Sequence, residues 1–317
     1  MKLEHLLERW KNLARDANVP GVAIAVLEHG QPIWSTGFGV ANATLPVTSD
    51  TIFEAASLSK QVVAFAVLKL CQSNLLELDT PLTHYVPEAN LELDLRLGDI
   101  TARHVLSHTS GLPNWIPDGE IAVTQFQPGT RFSYSGIGFK KLQAVIEKVT
   151  NISLEQHLQE IIFKPLNMKN SSFLWHSNLE IRAACGHDEH GEIMPKTQSL
   201  TQVHAAFSLH STVNDLARFL QEFLNIDTAL EMLQAQVQIN ENVSWGLGWG
   251  LEQTESGMFC WQWGNNPGFR ALMLGARDTG FGLVVLTNGV NGDKLWKPIL
   301  EDLTGEIHPA LTWLEEG

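Results

Sequence analysis

The chain has 317 residues and a formal net charge of −14, and its composition is 44% hydrophobic and 18% charged. These proportions are typical of a folded protein with a substantial core and exclude a disordered chain. So acidic a protein repels phosphate backbones and anionic lipid, which argues against nucleic acid and membrane surfaces as partners. The length suits one large domain or two coupled ones.

The N-terminal segment has the pattern of an amphipathic helix and lacks that of a signal peptide. Leucines and a tryptophan recur at helical spacing from Leu3 to Leu13, with charges between them. No apolar run reaches the roughly 18 residues of a membrane span. Cys71, Cys185 and Cys260 are odd in number and widely spaced, as reduced core thiols are. We therefore expect a cytoplasmic protein, unless a leader was removed.

Strand patterns lie at both ends of the chain, and helical patterns lie between them. Two β-rich runs flank His29-Gly30 and predict a hairpin. Helices are predicted in the middle, for example over 139–150 and 211–224. Four closely connected strands, predicted to be antiparallel, follow over 244–289, and a last helix is predicted near Asp293.

This order of elements predicts an α+β (α/β) fold in which the terminal strands form one antiparallel sheet. A mainly helical region is inserted, and terminal helices flank the sheet. We assign residues 1–75 and 240–317 to the sheet region and residues 76–239 to the helical region.

The stretch "EAASLSKQVVAFAVLKLC" over 54–71 places a serine and a lysine one turn apart at the start of a predicted helix. Ser57 and Lys60 share a helix face, and the free N–H groups of a helix start favour a negative charge on a carbonyl that Ser57 attacks. Burial among apolar neighbours lowers a lysine pKa, and a neutral lysine can act as a general base. The pair alone is weak, since Ser-x-x-Lys arises by chance about once in a chain this long.

Tyr134 is the second chemical signal. The chain has two tyrosines, and Tyr134 lies in the Ser/Gly-rich turn "TRFSYSGIG" before a predicted helix. A phenol on such a turn can relay a proton to a leaving group. The alternative is a half-buried tyrosine whose hydroxyl bonds to backbone.

Five phrases follow Ser-Leu-Ser-Lys in a fixed order: "HVLSHTSGLPNW", "QPGTRFSYSGIGF", "STVNDLARFL", "WGLGWG" and "NPGFR". Over about residues 20–290 the chain resembles the serine β-lactamase-like family of class C β-lactamases, low-molecular-weight penicillin-binding proteins and related carboxylesterases. The resemblance implies an antiparallel sheet of five or more strands with terminal helices and a helical region. It places the active site in the cleft between them and implies no cofactor.

Carried over by position, the resemblance makes Ser57 the acylated nucleophile, Lys60 its proton acceptor and Tyr134 the group that passes the proton to the leaving group. A third family element, usually Lys-Thr-Gly or His-x-Gly on a strand of the cleft, falls on the substrate-binding positions Gln262, Trp263 and Gly264. The oxyanion hole is then formed by the backbone N–H groups of Ser57 and Asn265.

Two departures from the family pattern bear on the substrate, a small-molecule ester, amide or lactam. Gly136 stands where the family's Tyr-x-Asn has an asparagine that bonds the amide of a lactam or peptide. Gln262 stands where a lysine or histidine helps to hold a substrate carboxylate. We therefore expect an esterase or amidase, with β-lactamase or D-Ala-D-Ala-type peptidase activity as the alternative. The loop over 115–126 helps to determine substrate specificity, but its sequence contains no motif that identifies the substrate.

The sequence leaves three other hypotheses to consider: a Ser-His-Asp hydrolase, a metal site and an inactive binding protein. A Ser-His-Asp hydrolase needs a Gly-x-Ser-x-Gly elbow, which the chain lacks. His104 and His108 have the i, i+4 spacing of a metal pair, and 187–190 reads His-Asp-Glu-His, but neither brings a well-spaced third ligand, so no metal is expected. The changes at Gly136 and Gln262 also suit an inactive binding or scaffold protein of the same fold.

Among the ten tryptophans, Trp245, Trp249, Trp261 and Trp263 fall on two predicted strands. Most are expected to pack in the core. Trp263 belongs to the third family element and is the one expected to line the cleft.

Overall fold

The computed structural model of the chain describes residues 3–117, 119–195 and 202–316. Within these residues the strands form an eight-stranded antiparallel sheet and a separate two-stranded one. In chain order the strands are β1 (Gly21–Glu28), β2 (Gln31–Gly39), β3 (Phe53–Ala56), β4 (Leu209–Ser211), β5 (Val237–Gln238), β6 (Val243–Trp245), β7 (Gly250–Thr254), β8 (Gly257–Asn266), β9 (Phe269–Ala276) and β10 (Phe281–Thr287). The large sheet has the order β2-β1-β10-β9-β8-β7-β6-β5, and β3 pairs with β4.

The α-helices of the described residues lie before, between and after these strands. They are α1 (Glu4–Asp16), α2 (Ser59–Gln72), α3 (Ala102–Leu106), α4 (Gly136–Thr150), α5 (Leu154–Leu158), α6 (Ser177–Glu180), α7 (Val213–Asn225), α8 (Ala229–Met232), α9 (Trp296–Thr304) and α10 (Pro309–Glu316). Short 3-10 helices cover Leu82–His84, Leu95–Asp99 and Gly292–Leu295, and a π-helical segment covers Gln159–Phe163.

The two ends of the chain meet in the large sheet, as the sequence predicts. Strand β1 pairs with β2 through the predicted hairpin, whose turn residues His29 and Gly30 have φ values of +50° and +67°. On its other edge β1 pairs with β10, so that Ile24 faces Val285 across the strands. The α+β fold with one antiparallel sheet and flanking terminal helices is confirmed.

Both faces of the sheet are covered, which explains why β1 is apolar along almost its whole length. Ala23, Ala25 and Leu27 belong to the core shared with α2 and α7. The alternate residues, among them Val22 and Ile24, belong to a second core built with α1, α9 and α10. Alternating side chains of one strand thus hold two helical layers on the sheet.

Three details differ from the expectation. The run over 244–252 forms two strands, β6 and β7, because the backbone between them bonds elsewhere: the N–H of Leu247 donates to Met232 and that of Gly248 to Leu106.

Helix α10 follows the predicted last helix. Helix α7 lies inside the stretch assigned to the helical region but packs on the sheet, and the boundaries of the two regions stay a prediction.

Within the described ranges, no helix combines the length and the apolar character needed to cross a bilayer. Cytoplasmic localisation stays a prediction.

Candidate active site

Ser57 lies on a tight turn between strand β3 and helix α2. Ala56, the last residue of the strand, has φ +49°, a conformation that costs a non-glycine residue about 1–3 kcal/mol. The buried Ser59 holds the turn: its Oγ donates to the Ala56 carbonyl at 2.6 Å and accepts from the N–H of Leu209 at 3.0 Å. The helix begins at Ser59, so Ser57, expected at the helix start, stands two residues before it.

The Lys60 side chain lies beside the Ser57 hydroxyl, as the i, i+3 spacing predicts. Its Nζ is 3.0 Å from Ser57 Oγ and donates a hydrogen bond to the carbonyl oxygen of Ala206 at 2.9 Å. The side chain is 1% exposed, and burial lowers the pKa of Lys60 to about 7. Desolvation is the cause, because a buried ammonium loses its hydration. The amine therefore loses its proton far more readily than an exposed lysine does.

Tyr134 is brought to the same place by the turn before helix α4. The Lys60 Nζ lies 4.8 Å from the centre of the Tyr134 ring. Burial raises the pKa of the Tyr134 phenol, and hydrogen bonds with the side chains of Ser57 and Gln262 offset part of that rise. The phenol therefore keeps its proton at neutral pH.

His108 packs against one face of the Tyr134 ring. Its ring stacks on the Tyr134 ring with the centres 4.1 Å apart, and its Nδ1 accepts a hydrogen bond from the N–H of Ser135 at 3.0 Å. Burial, and to a smaller extent the charge of Lys60, holds the pKa of His108 well below its ordinary value, so the ring is neutral. The sequence does not indicate this contact of His108 with Tyr134.

Gln262, on strand β8, is fully buried and turned towards Tyr134. Its Nε2 donates to the Tyr134 hydroxyl at 2.8 Å and to the carbonyl of Trp263 at 2.9 Å. The family resemblance implies that Gln262 lies at the cleft and contacts the substrate. Within the described residues the amide instead holds the phenol, and a substrate-binding role for it stays a prediction.

The rest of the third element lies along the same strand. The Trp263 ring is partly buried and lies 4.8 Å from the Tyr134 ring, whereas Trp245, Trp249 and Trp261 are fully buried. A Cβ on Gly264 would lie 2.6 Å from the carbonyl oxygen of Ala55, so only glycine lets β8 come this close to the strand that leads to Ser57.

Asn265 is exposed at the end of β8, directly opposite Arg270 on β9. The structure thus brings Ser57, Lys60, Tyr134 and Gln262 together and places the strand that carries Asn265 beside them. The roles predicted for these residues stay predictions at this point.

The departure at Gly136 has a structural counterpart that the sequence does not reveal. A Cβ added to Gly136 would lie 2.6–2.9 Å from three atoms of the Trp115 indole. The indole therefore occupies the space of a residue-136 side chain. No local pattern links a tryptophan of the 115–126 loop with a glycine 21 positions later.

His104 and His187, which the sequence spacing presents as candidate metal ligands, have other partners. His104 Nδ1 accepts from the N–H of Thr101, and His187 Nδ1 is 2.8 Å from the carbonyl oxygen of Asn288. Over the part of the chain that the structure describes, no group of three or more His, Cys, Asp or Glu residues could hold a metal ion.

Comparisons with known proteins show what this chain is similar to. Residues 6–301 match the family model described as Beta-lactamase. The chain is 26% identical over 333 residues to penicillin-binding protein 4* of Bacillus subtilis (strain 168), covering 90% of this chain and 72% of that protein. It is 29% identical over 195 residues to esterase EstB of Burkholderia gladioli, covering 50% of this chain and 48% of the esterase.

Among solved structures, the octameric penicillin-binding protein homologue from Pyrococcus abyssi has a TM-score of 0.83 at 25% identity, over 96% of this chain and 78% of that one. The match with this chain thus covers 48% to 78% of the length of these three proteins. The family model covers most of the chain, and the fold is shared over nearly all of it. The chain therefore belongs to the beta-lactamase family, whose members are serine hydrolases.

Proposed function

We propose that this protein forms an acyl-enzyme on Ser57 and hydrolyses small neutral esters or amides in preference to β-lactams. The observation that carries the proposal is the buried Lys60 amine, 3.0 Å from the Ser57 hydroxyl. With its pKa lowered to about 7, the amine can accept the hydroxyl proton as Ser57 attacks a carbonyl carbon.

Tyr134 completes the proton transfer. Because its pKa is raised, the phenol is a donor at neutral pH, and the Gln262 amide holds its oxygen while leaving its proton free to move. The Ser57 oxygen bonds to the carbonyl carbon, the bond from that carbon to the alcohol oxygen or amine nitrogen breaks, and the Ser57 proton reaches the leaving atom by way of Lys60 and Tyr134. Water then releases the acid and restores Ser57.

The negative oxygen formed during the attack needs donors close to Ser57. We assign this task to the backbone N–H groups of Ser57 and Asn265. Gly264 supports the assignment, because its lack of a side chain lets β8 approach the carbonyl of Ala55. Preorganised N–H donors of this kind are often the largest single contribution to catalysis of acyl transfer.

Three positions support the preference for neutral substrates over β-lactams. Gln262 carries no charge and bonds to Tyr134, and Gly136 offers no amide. Arg270, the nearest cation in sequence, donates to the carbonyl oxygens of Asn266 and Phe269 and lies 4.0 Å from a carboxylate oxygen of Asp293. A substrate carboxylate thus gains little charge-assisted hydrogen bonding from these positions.

A hydrolysis screen with a covalent probe tests the proposal. Wild type, Ser57→Ala and the exposed-serine control Ser73→Ala are compared on short-chain nitrophenyl esters, nitrocefin and D-amino-acid amides. The mass of each protein is then measured after exposure to a fluorophosphonate. We expect ester turnover and one label in wild type and in Ser73→Ala, and neither in Ser57→Ala.

Each other outcome of the screen contradicts a stated part of the proposal. More than about a tenth of the activity in Ser57→Ala contradicts the nucleophile, since a lost nucleophile costs several decades. Nitrocefin turnover equal to that of the best ester favours a β-lactamase. A folded wild-type protein that no acyl donor labels favours a binding or scaffold protein.

A further inference from the structure

The Trp115 indole is held over Gly136 and is still half open to solvent. Asn114 fixes the approach: its side-chain oxygen accepts from the N–H of Gly136 at 3.0 Å, and its backbone oxygen accepts from the N–H of Ile137 at 3.2 Å. The tryptophan is 48% exposed. The Trp115 ring, which lies over Gly136, therefore borders solvent close to Tyr134.

Two further rings extend this surface. The Trp115 ring meets Phe207 edge to face at 5.4 Å and His204 at 5.7 Å, and the rings of His204 and Phe207 stack at 4.3 Å. Burial, with smaller contributions from the charges of Lys140 and Lys60, lowers the pKa of His204 to about 4. At neutral pH the three rings form an uncharged aromatic wall.

The wall is attached to the reacting groups through its backbone. Ala206, between the two rings of the 204–207 segment, accepts the hydrogen bond of Lys60 at 2.9 Å. The carbonyl oxygen of Phe207 accepts from the side chain of Asn266 at 3.4 Å, next to the proposed oxyanion donor Asn265. The segment is thus held between the proposed base Lys60, which contacts Ser57, and the end of strand β8.

We propose that Trp115, Phe207 and His204 bind an aromatic ring of the substrate, which makes aryl-bearing esters or amides the preferred class. This proposal rests on the proposed hydrolase function. Ring pairs in edge-to-face or offset geometry gain affinity beyond what area burial provides, and a ring on the acyl or the alcohol side of the scissile bond can reach such a surface. A saturated ring of the same size has the area but lacks the quadrupole.

Matched pairs of esters test the proposal. The kcat/KM of ethyl phenylacetate is compared with that of ethyl cyclohexylacetate, which places the ring on the acyl side. Benzyl acetate and cyclohexylmethyl acetate place it on the alcohol side. The aromatic-to-saturated ratio is measured by pH-stat titration in wild type, Trp115→Leu and the control Trp34→Leu. Trp34 lies on β2, four strands from β8 in the sheet order and thus roughly 19 Å away.

We expect Trp115→Leu to lower the ratio by about two- to tenfold for one of the two pairs, while Trp34→Leu leaves it unchanged. A general loss of activity cancels within each aromatic-to-saturated ratio. The difference in intrinsic reactivity between the two esters cancels when the ratio of a variant is compared with that of wild type. Ratios in Trp115→Leu that match the wild type for both pairs overturn the proposal.

Calorimetry that measures how tightly the aromatic and saturated esters bind to the Ser57→Ala variant tests this proposal separately from the hydrolase function. If wild type neither turns over esters nor takes the fluorophosphonate label, the hydrolase function fails. Tighter binding of the aromatic ester, abolished by Trp115→Leu in the Ser57→Ala background, still supports the aromatic wall. Equal binding of the aromatic and saturated esters, or no binding, overturns it.

Discussion

Lys60 and Tyr134 have pKa values shifted in opposite directions by the same physical cause. Burial disfavours the charged form of each group, which is the protonated form of lysine and the deprotonated form of tyrosine. Near neutral pH the lysine is therefore ready to accept a proton and the tyrosine ready to donate one. Both lie close to the Ser57 hydroxyl, so the two shifts support one transfer path.

We predict that these residues act as one unit. Lys60→Ala and Tyr134→Phe should each lower kcat on the best ester by about 10²-fold or more, because each removes one end of the transfer path. The double variant should lose little beyond the worse single variant. Steady-state kinetics check this, with circular dichroism to show that each variant folds.

Tyr85→Phe is the matched control, because the other tyrosine of the chain uses its hydroxyl to accept from the N–H of Glu77. Its kcat should equal that of wild type. Losses that multiply in the double variant would show that Lys60 and Tyr134 act independently.

At the scale of elements, the β3–turn–α2 unit sets the position of the nucleophile. The sequence predicts the helix and the serine-lysine pairing, since both depend on residues a few positions apart. It does not predict strand β3, because its four residues pair with β4, which lies more than 150 positions later in the chain. Ser59 connects the two parts by bonding the turn and the β4 backbone.

We predict that Ser59→Ala destabilises the protein by about 1–3 kcal/mol, because it leaves the buried N–H of Leu209 without its acceptor. Urea unfolding measures this loss. Turnover of the best ester should fall as well, since the turn that carries Ser57 loses its brace.

Ser73→Ala, at the other end of α2, is the control. Ser73 is exposed, and its hydroxyl donates to the carbonyl of Lys69 in the preceding turn. The change should stay within about 0.5 kcal/mol. Equal stabilities of the two variants would show that the Ser59 hydrogen bonds do not hold the turn.

Over the whole molecule, features that depend on residues close together in the chain could be predicted from the sequence, and contacts between distant residues could not. The hairpin, the amphipathic helices and the order of strands and helices follow from local periodicity. The meeting of Trp115, Gly136 and Phe207, and the carbonyl of Ala206 that receives Lys60, depend on packing between distant segments. A single sequence carries no signal for contacts between such distant segments. At Gly136 the sequence therefore reveals the loss of the family's asparagine amide but not the indole that fills the space.

The molecule as a whole bears the cost of keeping Lys60 buried. An unfolded chain keeps a lysine protonated up to a pKa of about 10.4, whereas folding lowers the pKa of Lys60 to about 7. Between these values the unfolded state holds more protons than the folded one, so the free energy of unfolding rises with pH. Below pH 7 the charged amine destabilises the fold fully, and above about pH 10.4 this cost is gone.

We therefore predict that Lys60→Met, which keeps the length of the side chain, flattens the pH dependence of stability. Relative to the variant, wild type should gain up to about 1.4 kcal/mol per pH unit between pH 7 and pH 10. The bond that Met loses to Ala206 does not titrate and shifts the two curves without changing their slopes. Denaturant unfolding across this range checks the prediction, with the partly exposed Lys69→Met on the same helix as control. Parallel curves for wild type and Lys60→Met would mean that Lys60 carries its charge at neutral pH, and a charged Lys60 could not act as the base for Ser57.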